Sequence, residues 1–437
     1  MSHATTKGVR SHVVSSGRSQ QSVSTVHVMS SSGHRAVRVA AMLAFGATLA
    51  GCATNAPQDT WKPAGENAQK IQDLQWWVFA LAGVVGLVVF GVIVFVVVKF
   101  RDRGQDMPEQ THGNPALEIG LTILPALILL AISIPTVSTI FQLAKTDDTQ
   151  CVVNVTGQQW WWEYDYPAQD GCLPGGISEP IVTSGQLVLP TGTKVMLRIT
   201  SRDVIHSYWI PKLNGKRDAV PGRVHTLRMQ ADEPGIYSGQ CTEFCGLSHA
   251  RMRMEAVALY PADFATWVAN ETADYVAPAA DTLAATGEAT YVAQCSRCHQ
   301  VNGLTQSGTD ADGNAVTTPV LANPDLYLVS GAAPNLSHLM GRNTFAGATW
   351  DLLTDECRDR VWNASPEAFG TEYLKGVTSE CLNEFELREW LRNAPAKKPM
   401  YADPNLAGPD GKLRGMPDLG LSESQIDELI AYLLERN

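Results

Sequence analysis

Hydrophobic and polar positions change their spacing three times along the chain. From Trp76 to Val98 the residues are uncharged and almost wholly apolar, a run of roughly 23 residues that at about 1.5 Å per residue crosses the hydrocarbon core of a bilayer. A second apolar run, Ile119 to Leu143, has the same reach. Its Pro125 and Pro135 are tolerable where neighbouring helices re-satisfy the freed carbonyls. The two runs predict a transmembrane hairpin. Between Cys151 and Tyr260 the pattern shortens to alternating segments such as Val152-Val-Asn-Val-Thr, Leu187-Val-Leu and Val195-Met-Leu-Arg-Ile, separated by Gly or Pro. Period-two alternation broken by turn residues predicts short strands in an antiparallel sandwich or barrel. An Ala/Pro-rich stretch from Val276 places a boundary near residue 280. After Gly287 the chain reads as helical, ending in an amphipathic helix from Ser422 to Arg436.

Length and charge narrow the class. With 437 residues, 45% hydrophobic and 18% charged, the chain holds two or three domains, part of it strongly apolar. A net charge of -11 argues against nucleic acid as a partner and suits a basic protein partner. Arg35 and Arg38 precede an apolar, small-residue stretch from Val39 to Ala50, the pattern of an export signal. Leu49-Ala50-Gly51-Cys52 resembles a bacterial lipoprotein cleavage box, which would make Cys52 a lipidated first residue; ordinary cleavage or an uncleaved helix are the alternatives. Lys99, Arg101 and Arg103 favour a cytoplasmic loop between the two spans, whereas Lys62, Lys70 and Lys145 weaken that bias. The export signal therefore sets the orientation, with everything after the hairpin on the outer side of a bacterial inner membrane.

Chemistry concentrates in two motifs. The first is Cys241-Thr-Glu243-Phe-Cys245-Gly-Leu-Ser-His249-Ala-Arg-Met252, with His206 upstream in Asp203-Val-Ile-His206. Two thiolates, two imidazoles and a thioether form a soft set that selects copper over hard cations. A structural zinc site leaves Met252 without a role, and a Cys241–Cys245 disulfide is the other alternative. The second motif is Cys295-Ser-Arg-Cys298-His299, the spacing that attaches a c-type haem, with His299 as axial ligand. A distal methionine is then needed. Met416, in Arg414-Gly-Met416-Pro just before the last helix, is favoured over Met400, and Met340 reads as core. Glu118, at the start of the second span, is a functional candidate because an ionisable group sits at the membrane boundary; a charge complementing the helix dipole is the alternative. Of the nine cysteines, Cys151, Cys172, Cys357 and Cys381 remain for two disulfides or as buried thiols.

His206, Cys241, Glu243, Cys245, His249 and Met252 reproduce the ligand pattern of the binuclear CuA centre, and the chain from about Trp76 to Tyr260 resembles cytochrome c oxidase subunit II. That resemblance implies that Cys241 and Cys245 bridge two coppers, that His206 and His249 bind one each, and that Met252 and the Glu243 carbonyl cap them. The Glu243 carboxylate would reach a magnesium shared with subunit I. Trp160, in Gly157-Gln-Gln-Trp160-Trp-Trp162, would accept electrons from cytochrome c, although a Trp cluster on a strand is otherwise packing. Glu118 would open a proton-uptake path, in a motif where Leu121 replaces the usual Trp. Asp218 and Arg223 match the strip facing subunit I.

The expected architecture is a membrane-anchored multidomain chain: signal 1-51, exported segment 52-75, transmembrane hairpin 76-145, an all-β cupredoxin-like Greek-key barrel at 146-272, linker 273-284, and an all-α cytochrome c domain at 285-437. Its expected role is the electron-input subunit of a proton-pumping haem-copper oxidase. It would partner subunits I and III, the lipid bilayer and a soluble or membrane cytochrome c, and pass electrons through haem c and/or Trp160 to CuA. A copper-free quinol oxidase subunit would not keep the complete ligand set, a copper chaperone has no use for haem, and nitrous oxide reductase needs a histidine-rich catalytic domain that ten histidines cannot supply.

Overall fold

The computed structural model describes residues 56–104, 112–169, 171–175, 177–309, 315–319, 333–402, 408 and 411–436; the export segment and Cys52 lie outside the described residues. Helices α1 (Glu66–Lys99) and α2 (Pro115–Leu143) contain the two apolar runs. Their most apolar windows bury nothing against protein, as helices solvated by lipid do. Asn114 caps α2 by accepting from the Leu117 backbone N–H, and Pro115 occupies the first turn, where its missing N–H costs nothing. Helix α1 begins ten residues before Trp76. Its first turns are polar and pack against the β domain, burying Asn67, Ala68 and Gln72. Arg228 fixes this junction by donating to Asn67 Oδ1 at 2.7 Å and to Asp148 Oδ1 at 2.7 Å.

Among the described residues the β domain holds ten strands: β1 (Cys151–Gln158), β2 (Trp161–Tyr166), β3 (Ile181–Ser184), β4 (Gln186–Pro190), β5 (Val195–Ser201), β6 (His206–Tyr208), β7 (Arg217–Ala219), β8 (His225–Met229), β9 (Gly235–Gln240) and β10 (Arg253–Leu259). A five-stranded sheet runs β3-β2-β1-β5-β8, a three-stranded sheet runs β4-β10-β9, and β6-β7 form a ribbon. The pairs β1–β5 and β4–β10 are parallel and the others antiparallel. The expected closed Greek-key barrel is thus corrected to an open two-sheet sandwich. The reason lies at Gly185, whose φ of +78° turns the chain from β3 into β4; its N–H donates to Trp162 O and its carbonyl accepts from Glu255 N–H, one bond to each sheet. A corner there splits the strands instead of continuing one ladder. Alternation sets the core: along β1, Cys151, Val153 and Val155 point inward, each valine contributing about 1.5–3 kcal/mol. A Cys151–Cys172 disulfide ties the start of β1 to the loop after β2.

Helix α3 (Pro261–Glu271) closes the sandwich with Phe264, Trp267 and Val268. Residues 272–282 contain no helix or strand. The C-terminal module follows: α4 (Leu283–Gln294), ribbon β11 (Thr305–Thr309) with β12 (Ala315–Pro319), ribbon β13 (Thr344–Phe345) with β14 (Trp350–Asp351), α5 (Asp355–Trp362), α6 (Pro366–Tyr373), α7 (Glu384–Arg392), α8 (Ala394–Lys397) and α9 (Glu423–Leu434). Among the described residues the module therefore combines six helices with two β ribbons and is not all-α. Threonine-rich segments such as Thr305-Gln-Ser-Gly-Thr suit extended backbone. Ser422 and Gln425 form a capping box on α9, and α9 packs on α4, with the Tyr291 and Tyr432 rings 5.3 Å apart. A second disulfide, Cys357–Cys381, joins α5 to the segment before α7.

Candidate functional site

The loops around β6, β9 and β10 gather the first motif. His206 is fully buried. Its Nε2 lies 2.8 Å from Asp203 Oδ1, and its Nδ1 faces Cys241 Sγ at 4.0 Å. Gly157 makes room for this ring, because a Cβ there would come within 2.9 Å of His206 Cδ2. Cys241 Sγ and Cys245 Sγ are 3.9 Å apart; His249 Nδ1 is 3.5 Å and Met252 Sδ 3.8 Å from Cys245 Sγ. The Glu243 carbonyl oxygen is 3.3 Å from Cys241 Sγ. Backbone bonds from Cys241 N–H to Met252 O and from Met252 N–H to His249 O close the loop on itself.

The electrostatics suit a soft cation. A hydrogen bond from the Cys245 thiol pulls Cys241 down to about 4 and pushes Cys245 up. Burial alone would depress the His206 imidazole, but its bonds to Asp203 and Cys241 outweigh burial and raise it. A carboxylate behind an imidazole fixes ring orientation and basicity, as second partners of metal ligands do. Two close free thiols, two imidazoles, a thioether and a carbonyl fit copper, and six donors with a soft thioether among them exceed what one tetrahedral zinc uses.

Trp160 borders this cluster. It is 2% exposed, and its Nε1 donates to the Cys245 carbonyl at 3.0 Å, which also accepts from Gln159 Nε2 at 2.6 Å. On its other side the C-terminal module covers it: the Tyr401 ring lies 5.3 Å away, and Lys398 Nζ donates to the Trp160 carbonyl at 2.9 Å. Trp160 also lines a cavity of about 470 Å³ bordered by Cys295, Cys298, His299, Met400 and Met416. His299 Nδ1 is 2.7 Å from the Pro334 carbonyl oxygen, which leaves Nε2 as the free ring nitrogen. Burial holds the imidazole below its usual value, hence neutral and able to ligate. The Cys295 thiol is pushed up to about 12 by burial. Free adjacent thiols, a neutral imidazole and apolar walls fit a covalently attached haem.

The other expected residues fall as follows. Met416 and Met400 both border the cavity, half-buried and buried respectively. Met340 is fully buried and does not line it. Glu118 stands in the first turn of α2, exposed. Glu243, Asp218 and Arg223 are exposed on the outer surface of the β domain, where Asp218 accepts from Ser207 Oγ at 2.8 Å. Sequence reasoning missed three groups at the site. Asp203 was legible three residues before His206; Gln159 and Lys398 gave no local signal.

Comparison with known proteins places this geometry. The family described as "Cytochrome C oxidase subunit II, transmembrane domain" matches residues 56–139, and "Cytochrome C oxidase subunit II, periplasmic domain" matches 151–258. Cytochrome c oxidase subunit 2 of Alkalihalophilus pseudofirmus is 34% identical over 284 residues, covering 63% of this chain and 80% of that protein. The chain belongs to the cytochrome c oxidase subunit II family. Subunit 2 of Bacillus sp. (strain PS3) is 31% identical over 350 residues, 76% of this chain and 78% of its own length, so that likeness extends past residue 258. The quinol oxidase subunit 2 of Bacillus spizizenii is 34% identical over 239 residues, 53% of this chain and 70% of that one. A solved periplasmic domain of subunit II from Bradyrhizobium japonicum is 28% identical and covers 30% of this chain and 96% of that one, at a TM-score of 0.25. As a cytochrome c oxidase subunit II, the chain is part of a haem-copper oxidase complex with subunit I, is anchored in the membrane with a periplasmic domain, and belongs to a family whose periplasmic domain carries CuA.

Proposed function

We propose that this subunit is the electron-input arm of its oxidase, receiving electrons from cytochrome c in its own C-terminal module and passing them past Trp160 to CuA. One observation carries the reading: Trp160 donates to the carbonyl of a copper-ligand cysteine while lining the cavity that holds Cys295, Cys298 and His299. Bound there, CuA and haem c would each supply one-electron exchange without proton transfer. The chain's own residues do the rest. Cys241, Cys245, His206, His249, Met252 and the Glu243 carbonyl would hold the coppers. Cys295 and Cys298 would attach the haem covalently, and His299 and Met416 would ligate its iron. Asp203 keeps His206 in register, and burial of Trp160 excludes water between donor and acceptor.

The finer assignments form one scheme. The Glu243 carboxylate serves a magnesium shared with subunit I, Asp218 and Arg223 face that subunit, subunit III completes the complex, and Glu118 sits at a proton-uptake mouth. The division 76-145, 146-272 and 285-437 separates anchor, copper domain and cytochrome c domain. Both outer domains lie on the periplasmic side, and Cys52 is the lipid attachment point. A quinol oxidase role is disfavoured because all six copper-ligand positions are filled and gathered. The test is metal and haem analysis of the full chain purified alone in detergent. Two coppers and one covalent haem per chain are expected; a copper-to-haem ratio of one, or zinc in place of copper, overturns the assignment.

A further inference from the structure

Five consecutive residues of the C-terminal module, Lys397 to Tyr401, lie on the copper domain. The Lys397 carbonyl accepts from the Arg251 guanidinium, the Pro399 carbonyl accepts from Ser248 Oγ at 2.5 Å, and the Tyr401 ring meets Trp160. Ser248 and Arg251 flank His249, so this strap bears on the loop that carries copper ligands. Lys398 stands at its centre, 2% exposed. Its Nζ donates to the carbonyl oxygens of Trp160 at 2.9 Å and of Ala346 at 2.7 Å. One acceptor belongs to the copper domain and the other to the C-terminal module. Gly347 lets these groups approach, since a Cβ there would lie 2.5 Å from Trp160 O and 3.1 Å from Lys398 Nζ. A polar amino group is costly to bury, and a methionine of similar length would fill the space without that cost. A lysine there has work beyond packing.

We propose that Lys398 is a positioning residue for electron transfer: its buried amino group, donating to the carbonyls of Trp160 and Ala346, clamps the tryptophan of the copper domain to the C-terminal module and fixes the gap an electron crosses between them. The clamp acts from the main-chain side, while the Cys245 carbonyl holds the indole from the other. Trp160 is thereby pinned between the cavity and a copper ligand. The inference rests on the reading that the module carries haem c. Releasing one side of Trp160 loosens that gap and should slow transfer without touching either metal site.

The test uses the full chain in its oxidase complex, with Lys398→Met and Lys398→Gln beside the unaltered protein. Covalent haem and copper are measured first; absence of haem from the unaltered protein defeats the haem reading, not the clamp alone. Electrons are then injected photochemically into haem c, and oxidation of the haem and reduction of CuA are followed. Lys398→Met should keep full haem, copper and the CuA spectrum yet transfer several-fold more slowly. Lys398→Gln, which keeps one amide donor, should fall between. Reduction of CuA by a small inorganic complex should be the same in all three, which a general loss of structure would not produce. Equal haem-to-copper rates in the three proteins overturn the proposal. So does loss of copper or haem from both variants, which would make Lys398 a folding residue.

Discussion

At the scale of residues, two thioethers border the cavity proposed to hold haem c. Met416 and Met400 border the same cavity, with Met400 packed against Gly415, next to Met416. Met416 precedes α9 closely and is half-buried, whereas Met400 is buried in the strap that covers Trp160. Met416→Leu should therefore lower the haem potential and abolish the thioether-to-iron absorption band, because losing an axial methionine destabilises the ferrous state. Met400→Leu should keep both. Redox titration with optical spectra separates the two, and a reversal would move the ligand to Met400. The legibility of the site follows the same chemistry. His206, Cys241, Cys245, His249 and Met252 were readable because a metal dictates residue type and spacing. Lys398 was not, because its task is defined by a carbonyl 238 residues away in sequence.

At the scale of elements, the copper domain and the C-terminal module share a buried polar seam. Gln186 of β4 donates from Nε2 to Glu255 of β10 at 2.8 Å, while its Oε1 accepts from Tyr373 of α6 at 3.1 Å and from the Asn343 N–H at 3.2 Å. Beside it, Arg342 donates to Ser184 Oγ at 2.8 Å and lies near Glu271. Burial raises Glu255 and Glu271 each to about 7, against an ordinary 4.5. The sign follows directly: the folded chain keeps these protons to higher pH than the unfolded chain. Their contribution is complete below pH 4.5 and is lost as pH rises through 7, on the order of 3 kcal/mol each. Thermal unfolding of the full chain in detergent should show stability falling across that window. Glu255→Gln, whose carbonyl can still accept from Gln186, should remove about half of the slope; an unaltered slope would place the raised group elsewhere. Little of this seam was legible. The alternation in β1 gave the strands, but the switch of sheets at Gly185 and the threonine-rich ribbons depend on partners distant in sequence.

At the scale of the whole molecule, the two long apolar helices were legible as unbroken apolar runs, because lipid asks the same of every residue along a helix it surrounds; the placement of the C-terminal module on the copper domain was not. That placement decides how an electron can arrive. With Trp160 only 2% exposed beneath Tyr401 and Lys398, an external cytochrome cannot touch the tryptophan unless the C-terminal module moves away. Trp160→Phe tests whether the indole is a relay or a packing residue. The carbonyl of Cys245 keeps its bond from Gln159 Nε2 at 2.6 Å, so copper should stay bound and stability should fall by no more than the roughly 1–3 kcal/mol of a core substitution. A relay predicts that reduction of CuA from haem c slows at least about tenfold, equivalent to about 1.4 kcal/mol in the barrier, with both metal spectra intact. Stopped-flow mixing with reduced external cytochrome c, on Trp160→Phe and on a Cys295→Ala/Cys298→Ala chain that cannot attach haem, completes the argument. If electrons must enter through the module, the haem-free chain reduces its copper far more slowly than the native one, and adding Trp160→Phe to it changes little. If the haem-free chain accepts electrons at the native rate, the external donor reaches Trp160 despite its cover, and the route through the C-terminal module is wrong.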